Sequence, residues 1–190
     1  EDRNVFKEQI SSYPGKFGCC AKIDDSNCLL GSSKGLYIYN YRKEVSFSAF
    51  SINDTANFSK LNIPVLNQVK VSSIFKISDE IYLLGTKGLG LTQFNLKNMS
   101  LTLSDICKGK DIKQISKIRL NYYLLATNDF MYTIKYDSLS QRITLVNVKQ
   151  IDGINSININ GDQIFISTKK GVFTMELDSV YTKQSAQLGH

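Results

Sequence analysis

The chain contains no tryptophan, a single histidine (His190) and four arginines, Arg3, Arg42, Arg119 and Arg142. Each shortage removes a class of chemistry. A lone histidine at position 190 leaves a Ser–His or Cys–His nucleophilic pair without its base. Without tryptophan there is no indole platform on which a sugar could stack. So few arginines leave the chain short of the rigid forks that grip guanine or phosphate bidentately. No apolar run approaches the length a membrane helix needs, and no charged-then-apolar leader is visible. The four cysteines, Cys19, Cys20, Cys28 and Cys107, lack the paired spacing of a zinc ribbon. A chain of 190 residues buries a core without disulfides or metals. Reduced thiols and a cytoplasmic setting are therefore the expectation. No cofactor and no metal site is expected either.

What is present is lysine. The net charge is +6, carried by 23 Lys and Arg against 17 Asp and Glu. Scattered lysines suit loose attraction to acidic surfaces. The densest run is "CKGKDIKQISKIR" (107–119), with Lys108, Lys110, Lys113, Lys117 and Arg119. These five are the candidate partner-binding patch, for an acidic protein surface or peripheral contact with an anionic membrane. The plainer reading of the same run is a solvated loop entering a strand. Nucleic acid is not an expected partner, despite a sequence pI near 9.0. Tyr37, Tyr39, Phe94, Tyr132, Tyr136 and Phe173 lie mostly apart from the lysines, whereas a stacking platform interleaves the two. The acidic pairs Asp24–Asp25 and Asp79–Glu80 fall in polar corners, where carboxylates define turns through hydrogen bonds to backbone. No catalytic residue is assigned.

One pattern recurs four times. "LLGSSKGLYIYNY" (29–41), "LLGTKGLGLTQFNL" (83–96), "LLATNDFMYTIKYD" (124–137) and "FISTKKGVFTMELD" (165–178) each carry an apolar strand end and a small residue. A Ser or Thr, a polar turn and a second alternating run follow. The small residues are Gly31, Gly85, Ala126 and Ser167, spaced 54, 41 and 41 apart. A strand-like run precedes each, at 19–24, 71–77, 115–120 and 154–160, and ends in a polar corner. Its apolar residues recur every second position, as in Ile157 and Ile159, which is the period of strands. Runs at 44–50, 100–106 and 142–148 supply a further strand.

Short antiparallel strands repeating near 41 residues are the signature of β-propeller blades. The expected fold is all-β: four visible four-stranded blades at about 16–50, 69–106, 113–148 and 153–179. They form a single domain, 1–190, or part of a larger ring. Segment 51–68, Asn-rich and carrying Pro64, reads as an inter-blade loop. Within this frame the three glycines of "LLGTKGLG" (Gly85, Gly88, Gly90) make a tight turn. A phosphate loop would end in Gly-Lys-Ser/Thr and open a helix. Here a strand follows.

The opening blade, "CCAKIDDSNCLLGSSKGLYIYN" (19–40), resembles the start of a citron homology domain. It has a Cys-containing strand, an acidic corner, and a Leu-Leu-Gly turn with Ser32 in the threonine position, leading to Gly-Leu-Tyr. "INSININGDQIFISTKKGVFTMELDS" (154–179) is similar to the family's fourth-blade pattern. The resemblance implies a propeller of about seven blades that binds proteins and carries no activity. The implied partners are small GTPases and subunits of vesicle-tethering or signalling complexes, with the chain a regulatory scaffold near endomembranes or the cell cortex. The rival reading is an extracytoplasmic sensor propeller of the two-component regulator type, which "VSSIFKISDEIYLLGTKGLGLTQFN" (71–95) also fits. Those repeats carry a tryptophan before the Gly-Thr, where this chain has Leu83 and Leu84. A third reading, an enzyme working in a propeller's funnel, has no residues to name.

Overall fold

The computed structural model describes residues 16–41 and 58–181. The chain divides into two compact units, Glu1–Lys110 and Asp111–His190. Their described strands form antiparallel sheets, each a meander in which sequential strands pair. The fold is of the β-propeller type, with each sheet a blade.

The first unit holds two four-stranded sheets. One contains β1 (Phe17–Lys22), β2 (Asn27–Ser32), β3 (Gly35–Asn40) and β4 (Phe58–Lys60). The other contains β5 (Val71–Lys76), β6 (Ile81–Thr86), β7 (Leu91–Asn95) and β8 (Ser100–Leu103). Strand β1 alternates between half-buried and exposed residues, whereas β6, "IYLLGT", is buried throughout. A strand with both faces covered reads as a continuous apolar run, and "IYLL" meets that requirement. Leu29 and Leu36 of the first sheet share one core with Val71, Ile74, Tyr82, Leu84 and Phe94 of the second. Fully burying one such side chain contributes about 1.5–3 kcal/mol. On the first sheet's opposite face, Leu30, Tyr37 and Tyr39 gather Phe17 and Phe58. The Phe17 and Tyr37 rings meet edge-on at 5.3 Å.

The second unit holds β9 (Gln114–Arg119), β10 (Tyr122–Ala126), β11 (Phe130–Asp137) and β12 (Arg142–Gln150) in one sheet. Strands β13 (Ile154–Asn160), β14 (Gln163–Thr168) and β15 (Gly171–Glu176) form the next. Leu124, Ala126 and Met131 pack against Ile154, Ile157, Ile164 and Ile166. A side-chain amide spans the seam between them. Gln114 Nε2 donates to the Ile157 carbonyl at 2.6 Å, and the Ile157 N–H donates back to Gln114 Oε1 at 2.9 Å.

One expectation needs correction. Segment 51–68 is not wholly a loop: β4 lies inside it and pairs with β3, Tyr39 opposite Phe58. Phe58 anchors this strand by stacking 5.8 Å from Phe17 and lying 4.6 Å from Tyr39. One aromatic is enough to seat three residues in an otherwise polar stretch. A 3-10 turn, Pro64–Leu66, follows and buries Leu66. The strand expected at 44–50 lies outside the described residues. Three strands of the last sheet lie among the described residues. After β15 the chain enters a 3-10 turn, Leu177–Val180, because both of its apolar ends are buried in the core. Asn147 Nδ2 holds that turn by donating to the Val180 carbonyl at 3.1 Å.

Candidate interaction surface

The turn between the second and third strands of each sheet is built in the same way. A buried hydroxyl at the end of the second strand donates across the turn to the carbonyl of the residue that opens, or directly precedes, the third strand. Ser32 Oγ reaches Gly35 at 3.1 Å, and Thr86 Oγ1 reaches Gly90 at 2.8 Å. Thr127 Oγ1 reaches Phe130 at 3.0 Å, and Thr168 Oγ1 reaches Gly171 at 3.1 Å. This clamp is the purpose of the recurring Ser or Thr. Gly88 and Gly90 take φ of +85° and +78°, and a Cβ on Gly90 would collide with the Cys107 carbonyl. The glycine-rich stretch is thus a turn pressed against the loop after β8, with a strand and not a helix behind it.

These turns define one end of each unit, and the β1–β2 and β5–β6 corners define the other end of the first. Strands β1 and β5 lie side by side and run the same way. Cys19 Sγ contacts the Val71 carbonyl at 3.5 Å near one end, and Lys76 Nζ donates to the Ile23 carbonyl at 2.9 Å near the other. Charge is sorted between the two ends. At the corner end, Asp24 accepts from the Ser26 and Asn27 amides at 2.7 and 2.9 Å. Lys22 pairs there with Asp25 at 2.6 Å, Lys76 with Asp79 at 2.9 Å and Lys97 with Glu80 at 3.2 Å.

The turn end collects exposed lysines from distant parts of the sequence. Lys34 lies in the β2–β3 turn, and Lys16 abuts it, since the Ser33 N–H donates to the Lys16 carbonyl at 3.1 Å. Lys87 lies in the β6–β7 turn with Lys70 beside it through a 2.9 Å backbone bond. Lys108 and Lys110 follow on the loop that the Gly109 N–H ties to the Gly88 carbonyl at 3.1 Å. Among the described residues, no ion pair involves Lys16, Lys34, Lys70, Lys87 or Lys108. Of the carboxylates described in this unit, only Asp105 lies at this end; Asp24, Asp25, Asp79 and Glu80 lie at the other.

The five residues of the sequence-predicted patch fall in both units. Lys108 and Lys110 belong to the lysine end of the first unit. In the second unit, Lys113 Nζ donates to the Ile154 carbonyl at 2.6 Å and to Asn128 Oδ1 at 3.1 Å, stitching two sheets. Lys117 is exposed on β9. Arg119 closes the same strand, between Asp162 at 3.2 Å and Asp178 at 3.4 Å, with Tyr181 beneath its guanidinium. Lys113 and Arg119 therefore stand about 20 Å apart along the strand. Lys16, Lys34, Lys70 and Lys87 were missed because topology, not sequence proximity, assembles them.

The thiols follow their surroundings. Burial pushes the Cys19 pKa up to about 12, against a smaller downward pull from a backbone hydrogen bond at Gly31. Burial, with Cys20 nearby, pushes Cys28 up to about 11. Both are held in the thiol form at neutral pH. Among the described residues, no three His, Cys, Asp or Glu side chains gather as metal ligands would. No helix among them is long and apolar enough to cross a membrane.

No family model matches the chain, and no curated protein matches it in sequence. Solved structures do. The Cps50 (Swd1) β-propeller domain of Myceliophteria thermophila is similar over 82% of this chain and 55% of its own, at 13% identity and a TM-score of 0.60. An extracellular domain assigned to a hybrid two component system of B. thetaiotaomicron is similar over 83% of this chain and 20% of its own, at 18% identity and a TM-score of 0.60. The computationally designed Ika4 protein is similar over 87% of this chain and 93% of its own, at 12% identity and a TM-score of 0.56. The chain thus spans about half of the first and a fifth of the second. At these identities the likeness concerns the fold alone.

Proposed function

We propose that this chain is a non-catalytic interaction module, a propeller scaffold that holds protein partners. The observation that carries the reading is the sorting of charge on a rigid frame. In the first unit, clamped turns fix one end as basic, and hydrogen-bonded corners hold the carboxylates of the other in ion pairs with Lys22, Lys76 and Lys97. Such a frame orients charged partners before contact, which raises association rates and suppresses wrong pairings. The resemblance of 19–40 and 154–179 to citron homology domains supports small GTPases, or subunits of tethering and signalling complexes, as the partners. It also supports a cytoplasmic scaffold with further blades supplied outside this chain.

The sensor reading is supported by a specific observation, the similarity to an extracellular domain of a hybrid two component system. The two readings separate in one screen of the folded chain against small GTPases loaded with GDP or a GTP analogue. Binding that depends on the nucleotide supports the scaffold. A folded chain that binds neither form contradicts it and favours the sensor.

A further inference from the structure

The lysine end of the first unit is unlike an ordinary protein-binding surface. Interfaces between proteins are enriched in Arg, Tyr and Trp and depleted in Lys, because a strongly hydrated ammonium on a flexible stem makes a poor anchor. This end offers Lys16, Lys34, Lys70, Lys87, Lys108 and Lys110, all exposed, and no described arginine. Base stacking requires exposed aromatics among the cations, and none is interleaved here among the described residues. A diffuse negative surface has neither requirement. It attracts each nearby lysine additively and demands no fixed geometry.

A second feature sits among these lysines. The 3-10 turn Pro64–Leu66 lies against the β2–β3 turn: a Cβ on Gly35 would stand 2.9 Å from the Leu66 carbonyl. Leu66 is buried in the core, while Val65 on the same turn is 48% exposed. An exposed apolar residue on the same end as several lysines is the composition of a surface that rests in the headgroup layer.

We propose that this end docks on an anionic lipid bilayer, with the six lysines facing the headgroups and Val65 entering the interface. The inference stands independently of the GTPase reading, and the two tests fail separately. The corner end, with its paired carboxylates, faces away from the bilayer.

The test is co-sedimentation of the full chain with vesicles of phosphatidylcholine alone, or with about a third phosphatidylserine, at low and physiological salt. Binding is expected only to the phosphatidylserine vesicles, and weaker as salt is raised. Each lysine removed is expected to cost roughly fivefold in partition, so Lys34→Glu, Lys87→Glu and Lys108→Glu together remove about a hundredfold or more. Lys97→Glu, at the corner end, is expected to bind as the parent does. Val65→Ser is expected to weaken binding severalfold with every lysine in place. The set Lys34→Gln, Lys87→Gln and Lys108→Gln repeats the test without reversed charge, should the first set fold poorly. The proposal is overturned if the parent does not bind phosphatidylserine vesicles, or if the lysine variants bind undiminished. It is also overturned if soluble poly-glutamate is bound while vesicles are not, which would reassign the end to an acidic protein.

Discussion

Thr86 and Tyr82 both bury a hydroxyl in the second sheet, and the two have opposite consequences. Thr86 Oγ1 satisfies the Gly90 carbonyl, whereas the Tyr82 hydroxyl has no hydrogen-bond partner among the described residues. A buried polar atom stabilises only when it is paired. Thr86→Val should cost about 1–2 kcal/mol, and Tyr82→Phe should be neutral or stabilise by up to about 1 kcal/mol, both measured by urea denaturation. Cys19 sets a pH limit by similar logic. Its thiol ionises at an ordinary 9.0 when exposed and near 12 when folded, so the folded chain keeps a proton that the unfolded chain releases. That contribution is fully present below pH 9 and is lost as pH rises from about 9 towards 12. The denaturation midpoint should fall across that range in the parent and fall less in Cys19→Ala. An identical decline in both would show that Cys19 is not the group responsible.

At the level of elements, the two glycines of the β6–β7 turn distinguish backbone conformation from close approach. Both have positive φ, but only Gly90 faces the Cys107 carbonyl, while a Cβ on Gly88 would meet open space. Gly88→Ala should cost about 1 kcal/mol, the penalty of a left-handed alanine. Gly90→Ala adds a backbone collision and should displace the loop after β8 or prevent folding, read by circular dichroism and thermal melting. The blade strands were legible because their apolar positions alternate and their turns repeat at 41 residues. Strand β4 was not, since three residues held by Phe58 leave no periodic trace in an Asn-rich stretch. The 3-10 turn at Leu177–Val180 was equally hidden. "ELDSV" carries no helical period, and only the core beneath Leu177 and Val180 decides its path.

At the scale of the molecule, charge was legible in amount but not in place. The run 107–119 drew attention because its cations are adjacent in sequence, yet the structure places Lys113 in a seam and Arg119 in an acidic cage. Positions 16, 34, 70 and 87 carry single lysines that look solvated, and pairing of strands brings them to the end already holding Lys108 and Lys110. The corner carboxylates were legible as turn-formers, and Asp24 serves as one. The proposed scaffold has, in its first unit, one end suited to an anionic bilayer and the other to a protein. The central claim, recognition of a protein partner without catalysis, is tested most directly by calorimetric titration of the folded chain with a small GTPase. The nucleotide forms are compared at two ionic strengths. The expected result is saturable binding that prefers one nucleotide state and weakens with salt. Equal failure to bind either state, from a chain that gel filtration shows to be folded, would contradict it.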